Sequence, residues 1–194
     1  MLRQSIKAVN NKSLKPAQRK YLEKVIRVDQ AGELGADYIY MGQHFVFKQT
    51  LPKLAPLIRH MWDQEIHHHN TFDTIQTEGR IRPSVFTPVW KIAALGLGMG
   101  TALLGKEAAM ACTEAVETVI GGHYNDQLRR LSKEFPETEE FVQLRKLISE
   151  FRDDELEHLE TAIENDAKKA VPYMLLTEAI KNGCRGAIFL AERF

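Results

Sequence analysis

Two Glu-x-x-His segments, Glu65-Ile66-His67-His68 and Glu155-Leu156-Glu157-His158, begin 90 residues apart in this chain. Residues three apart on a helix share a face about one turn apart, so a Glu and a His at that spacing can grip one metal ion. A further acid precedes each segment, Glu33 before the first and Glu117 before the second. Four carboxylates and two imidazoles drawn from four helices are the donor set of a carboxylate-bridged pair of iron or manganese ions. Oxygen-rich ligation with imidazole suits either metal, and iron is the choice for activating dioxygen. The four carboxylates balance the charge of two ferrous ions. Such a pair can give two electrons to O2, and two more must come from outside. One oxygen atom then enters a substrate and the other leaves as water.

The surroundings of the two lone acids support this reading. Glu33 sits in Ala31-Gly32-Glu33-Leu34-Gly35-Ala36, and Glu117 in the small and apolar run from Ala108 to Val119. A carboxylate buried in such company is costly unless a cation compensates it. The competing reading places all six residues on solvated helix surfaces, with no metal. For ligand histidines the second ring nitrogen needs its own partner, and Asp29, Asp63, Asp153 and Asp154 are the candidate acids. His123 and Tyr124 are candidates for proton or electron delivery; the plainer alternative is a capped turn with a partly buried tyrosine.

Helices must position these groups, and the apolar spacing predicts little else. Pro16 suits a first helical turn, and Tyr21, Leu22, Val25, Ile26, Leu34, Ile39 and Phe45 continue a helix to about Phe47. Pro52 and Pro56 introduce a second, ended by Gly79. A loop from Arg80 to Pro88 leads to a third helix over Val89 to Ile120, stopped by Gly121-Gly122. A short helix from Tyr124 to near Pro136 is followed by one from Glu137 to about Lys169, and Pro172 opens a last one towards Phe194. The intervals Glu33 to Glu65 and Glu117 to Glu155, 32 and 38 residues, match two antiparallel helical hairpins. The expected fold is therefore all-α: a ferritin-like four-helix bundle core holding the dimetal site, plus an additional C-terminal helix.

Residues 21–194 read as one domain, and 194 residues with 44% hydrophobic content suffice for a real core. Residues 1–20 form a separate basic segment: Arg3, Lys7, Lys12, Lys15, Arg19 and Lys20 occur without an acid. It reads either as the remnant of an organelle-targeting sequence or as a solvated tail. A formal net charge of zero argues against nucleic acid as a partner. Cys112 and Cys184 make no disulfide framework or zinc ribbon, which favours a reducing compartment. The longest apolar stretch without charge, Ile92 to Gly105, is fourteen residues and too short to span a bilayer, which takes roughly 20. With Val85, Phe86, Val89 and Trp90 upstream it forms an apolar wedge suited to core packing or to contact with a membrane surface. Its glycines, Gly96, Gly98, Gly100 and Gly105, imply close approach of another helix or of a flat ring with a long tail.

Five segments also resemble a known family: Ile26 to Ala36, the pair Glu65 and His68, Ala109 to Glu117, His123-Tyr124-Asn125, and Phe151 to His158. From about residue 20 onward, and in the same order, they are similar to the demethoxyubiquinone hydroxylases of ubiquinone biosynthesis. The resemblance implies that Glu33, Glu65, His68, Glu117, Glu155 and His158 hold two iron ions. It implies O2, a long-tailed quinone substrate, reducing equivalents from NADH, a lipid-presenting partner protein and other quinone-biosynthesis proteins. It places a eukaryotic member peripherally on the matrix side of the mitochondrial inner membrane, and a bacterial one on the inner-membrane surface. Gln30 and Gly122 stand where many relatives have His. Outside this family, the residues also fit a ferritin-like iron oxidase or peroxidase, or a metal-free scaffold at a membrane.

Overall fold

Proline and glycine punctuation sets most of the helix boundaries. The computed structural model describes residues 1–194. In chain order the helices are α1 (Leu2–Val9), α2 (Pro16–Thr50), α3 (Ala55–Glu78), α4 (Thr87–Leu103), α5 (Lys106–Glu134), α6 (Glu139–Glu164) and α7 (Tyr173–Ala191), with a 3-10 turn at Ala167–Lys169. Pro16, Pro56 and Pro88 fall in the first turns of α2, α3 and α4, where a missing N–H costs no helical bond. Glu139 and Glu140 lie in the first turn of α6, where they complement the helix dipole.

α2 folds back on α3 and α5 on α6, and the two hairpins face one another as a ferritin-like four-helix bundle. Around this core α4 lies along α2, α7 along α5, and α1 against α6. Two apolar clusters plug the bundle. One gathers Leu22, Ile26, Phe72, Tyr124, Leu131, Phe141, Ile148 and Phe151. The other gathers Tyr40, Phe47, Ile58, Met61, Met110 and Ala162. Along each core helix the predicted metal-binding positions fall between the residues of these two plugs.

Three boundaries differ from the sequence expectation. The predicted third helix is two helices, because Gly105 adopts φ +118°, a conformation L side chains rarely take, and breaks α4 from α5. Gly121 and Gly122, in contrast, stop nothing. α5 runs through them to Glu134, since the burial of Tyr124, Gln127 and Leu131 beyond them outweighs the weak helix propensity of glycine. α6 ends at Glu164 rather than near Lys169, where Asp166 turns at φ 72° and its carboxylate accepts a bond from Lys106 at 2.7 Å. The basic residues of segment 1–20 lie at the surface, yet Ala8, Val9 and Leu14 enter the same apolar cluster as α6.

The glycine ladder of α4 divides by function. A methyl group at Gly42 of α2 would fall 2.7 Å from the Leu95 carbonyl oxygen and 2.8 Å from the Met99 nitrogen, and one at Gly98 would overlap the Ile39 carbonyl. Gly96 and Gly100 have open space instead. Gly98→Ala should therefore destabilise the protein by about 1–3 kcal/mol through overpacking. Gly100→Ala should stabilise it by up to about 1 kcal/mol through helix propensity. Chemical denaturation of the two variants checks both signs.

Candidate metal centre

The structure brings all six sequence-selected residues together at mid-bundle: Glu33 from α2, Glu65 and His68 from α3, Glu117 from α5, Glu155 and His158 from α6. All are buried. They form two overlapping sets, Glu33, Glu65, His68 and Glu155, then Glu65, Glu117, Glu155 and His158. Within each set one donor atom per residue lies within 4.8 Å of the others. Glu65 and Glu155 belong to both. Glu65 turns Oε2 to His68 Nδ1 (3.9 Å) and Oε1 to His158 Nδ1 (3.0 Å). Glu155 turns Oε1 to His68 Nδ1 (3.2 Å) and Oε2 to His158 Nδ1 (3.4 Å). Each of these carboxylates thus offers one oxygen to each half of the site, as a bridge between two ions must.

Both oxygens of Glu65 and Glu155, Oε2 of Glu33 and Glu117, and Nδ1 of both histidines are buried without a hydrogen-bond partner. Orphaned buried polar atoms are rare because each loses its hydration for nothing. Here all of them converge on one space, and all are oxygen or imidazole nitrogen. This donor set fits two divalent cations of the iron or manganese type. Exposure on a solvated surface, the competing expectation, does not describe them.

Without a cation, protons are held in the cluster. Burial raises Glu33, Glu65 and Glu117, with the Glu155 charge adding to each, and Glu65 reaches about 8. Burial would raise Glu155 too, but the close His158 and His68 rings hold it down to about 2. Burial would lower His158, but Glu155 and Glu65 take it up to about 11, and His68 is raised likewise by Asp154, Glu155 and Glu33.

A second layer of partners surrounds the six. The Tyr124 hydroxyl donates to Glu33 Oε1, and the Tyr40 hydroxyl donates to Glu117 Oε1 at 2.9 Å. Burial and those carboxylates push both phenols well above their ordinary value, so both stay protonated donors. His68 Nε2 meets Asp154 Oδ2 at 3.0 Å, while His158 Nε2 meets Gln64 Oε1 at 3.0 Å. Of the four acids proposed for this role only Asp154 fills it; the other histidine rests on an amide. Asp63 pairs instead with Arg59, Asp153 with Arg152, and Asp29 accepts from Gln127 at 2.5 Å.

His123 stands apart from the cluster. Its Nε2 is 3.6 Å from Asp29 Oδ1, and its side chain is 24% exposed. Tyr124 is fully buried within continuous helix, which excludes the capped-turn reading. The sequence reading overlooked Tyr40 and Gln64. Both were signalled by the internal repeat: Tyr40 follows Glu33 by seven residues as Tyr124 follows Glu117, and Gln64 precedes Glu65 as Asp154 precedes Glu155.

The proton-holding cluster makes a stability prediction for metal-free protein. Glu65 gains its proton near 4.5 when unfolded but near 8 in the fold, so between those values the native state binds the extra proton and stability falls as pH rises. His158 acts in the same direction, its contribution complete below 6.5 and lost as pH climbs towards 11. Glu155 opposes them only between about 2 and 4.5. The melting temperature of chelator-treated protein should drop by a few degrees from pH 6 to pH 8, and calorimetry with bound ferrous ion should remove the slope.

The profile of the family described as "Ubiquinone biosynthesis protein COQ7" matches residues 20–191. The chain is similar to a Saccharomyces cerevisiae protein named "5-demethoxyubiquinone hydroxylase, mitochondrial", 58% identical over 93% of this chain and 82% of the relative. A Mus musculus protein named "NADPH-dependent 3-demethoxyubiquinone 3-hydroxylase, mitochondrial" is 48% identical over 91% of this chain and 79% of its own length. A "3-demethoxyubiquinol 3-hydroxylase" of Rhodospirillum rubrum is 42% identical over 92% and 81%. With a family match across most of its length and relatives this similar, the chain belongs to the ubiquinone biosynthesis COQ7 family of demethoxyubiquinone hydroxylases.

Proposed function

We propose that this protein is a di-iron monooxygenase that hydroxylates a demethoxy-quinone precursor in ubiquinone biosynthesis, using O2 and a reduced pyridine nucleotide. One structural relation carries the reading: an apolar groove and the carboxylate–histidine cluster share the walls of α2 and α5. The groove, about 520 Å³, is enclosed by α2, α4, α5 and α7 and lined almost wholly by apolar and small residues. Gly32 and Val116 line it, and their neighbours Glu33 and Glu117 enter the cluster. Gly32, Gly35 and Gly183 have no atom within 4 Å of where a Cβ would stand, which leaves room for a flat ring or an isoprenoid tail. A pocket of this size and lining suits a long apolar ligand steered by few polar groups.

Glu33, Glu65, His68 and Glu155 would hold one iron, and Glu65, Glu117, Glu155 and His158 the other. The iron pair supplies the reduction of O2. Around it, the two apolar plugs exclude water, Tyr124 and Tyr40 each donate a hydrogen bond to the outer oxygen of Glu33 and Glu117, and the second nitrogen of each histidine is fixed by Asp154 or Gln64. His123, about a quarter exposed and beside Asp29, is suited to proton delivery, since Asp29 lies one turn before Glu33 on α2.

No helix is long and apolar enough to cross a membrane. The helices that wall the groove nevertheless expose large apolar side chains: Val89, Ile92 and Leu103 on α4, with Leu104 just beyond, and Met174, Leu175 and Phe189 on α7. Lys91, Lys181 and Arg185 accompany them. This rim supports peripheral attachment to an anionic membrane surface, the matrix face of the mitochondrial inner membrane, where a lipid-presenting protein would also meet it. NADH is the proposed reductant. The mouse relative's name specifies NADPH, and quinone-dependent oxidation of both nucleotides decides between them.

Glu155→Ala should abolish hydroxylated product and reduce bound iron below two per chain, with helical circular dichroism retained. Full activity in that variant, measured with a demethoxy-quinone, would overturn the ligand assignment. Gly35→Leu should fill the groove without displacing a helix. Its iron content should match the parent, and kcat/KM for a long-tailed quinone should drop at least about tenfold, the cost of roughly 1.4 kcal/mol of lost transition-state binding.

A further inference from the structure

The two halves of the centre repeat one another closely, and they differ in charge at the pair of positions that support the histidines, Gln64 and Asp154. Glu33 and Tyr40 answer Glu117 and Tyr124; Glu65 and His68 answer Glu155 and His158. Across the bundle, the residue before each Glu-x-x-His glutamate supports the histidine of the opposite helix. Asp154 of α6 supports His68, and Gln64 of α3 supports His158, both at 3.0 Å. Nδ1 of each ring faces the cluster carboxylates, so Nε2 is the nitrogen left for the support.

From this we infer that the two metal positions are electrostatically unequal: the position built by Glu33, Glu65, His68 and Glu155 holds its ion more tightly than the position built by Glu65, Glu117, Glu155 and His158. The inference rests on the dimetal reading above. An imidazole N–H that donates to a carboxylate gains electron density on its other nitrogen and becomes a stronger ligand; one that donates to an amide gains less. Other features are shared: Glu65 and Glu155 belong to both sets, and Glu33 and Glu117 each accept one tyrosine hydroxyl. Water partly screens Asp154, whose side chain is 36% exposed. The difference should therefore lie at the low end of the 10–100-fold range that such outer partners contribute to metal affinity. Packing differs in the same sense. Phe151 stacks on the His68 ring at 4.0 Å, whereas Tyr40 meets the His158 ring edge-on at 5.7 Å. Loss of iron, and its replacement by another metal, then begin at the His158 position.

The test uses iron-loaded full-length protein, from which a ferrous chelator removes one equivalent before crystallisation. Anomalous scattering at the iron edge then locates the remaining ion. The expected residual iron lies beside His68, in excess of about fivefold over the position beside His158. The charge-swapped protein, Asp154→Asn with Gln64→Glu, is isosteric at both sites and should leave its residual iron beside His158. Equal occupancy in the parent, residual iron beside His158, or an unmoved preference in the swapped protein overturns the inference. The dimetal reading fails separately, and takes the inference with it, if the loaded protein holds no iron. Mössbauer spectra of the loaded single variants give a readout that a merely structural role would not move: Asp154→Asn should perturb one of two quadrupole doublets and Gln64→Glu the other.

Discussion

Four carboxylates in the middle of an apolar bundle are the constraint from which the rest of this structure follows. Each would lose hydration on burial, and together they repel. Two histidines interleaved among them supply positive charge when no metal is present, which is why Glu155 is held down to about 2 while Glu65 rises to about 8. A pair of divalent cations would satisfy the same atoms better, because it would neutralise all four charges and engage the orphaned cluster atoms at once. The hairpin pairing, the two apolar plugs and the tyrosine donors can all be understood as means of keeping this layer in register and dry.

The helices outside the core serve a different requirement. α4 approaches α2 closely enough that Gly42 and Gly98 leave no space for a methyl group, yet beside that contact the chain leaves a groove lined by Gly32, Gly35 and Ala36. Tight packing on one stretch of α2 and openness on the next place an apolar cavity against the same helix that carries Glu33. Consecutive residues of one helix thus face a polar interior and an apolar groove, because they point about 100° apart. The exposed apolar side chains on α4 and α7 continue the character of the groove to the surface.

Much of this was legible in the residues. The repeated Glu-x-x-His spacing, the lone acids among small residues and the interval between acids in each hairpin were enough to select the six cluster residues and an all-α bundle. They sufficed because helical geometry is periodic and local: a three-residue spacing places two groups on one face wherever the helix goes. The resemblance to the demethoxyubiquinone hydroxylases covered the same residues and agreed with the family match. Boundaries governed by single glycines were less legible. Gly105 breaks a helix and Gly121-Gly122 do not, although propensity treats them alike; only the backbone angle and the packing partners distinguish them.

The chain itself therefore determined which donors were available, on which helices and at what spacing. The fold alone decided how they combine: that Glu65 and Glu155 face both histidines while Glu33 and Glu117 serve one half each, that Asp154 reaches His68 and a neutral Gln64 reaches His158, and that His123 points to Asp29 rather than into the cluster. The contacts of Asp154, Gln64 and His123 join residues 86 to 94 positions apart. Their distances depend on how four helices rotate and slide against one another, and side-chain packing between helices, which no local periodicity encodes, sets that rotation.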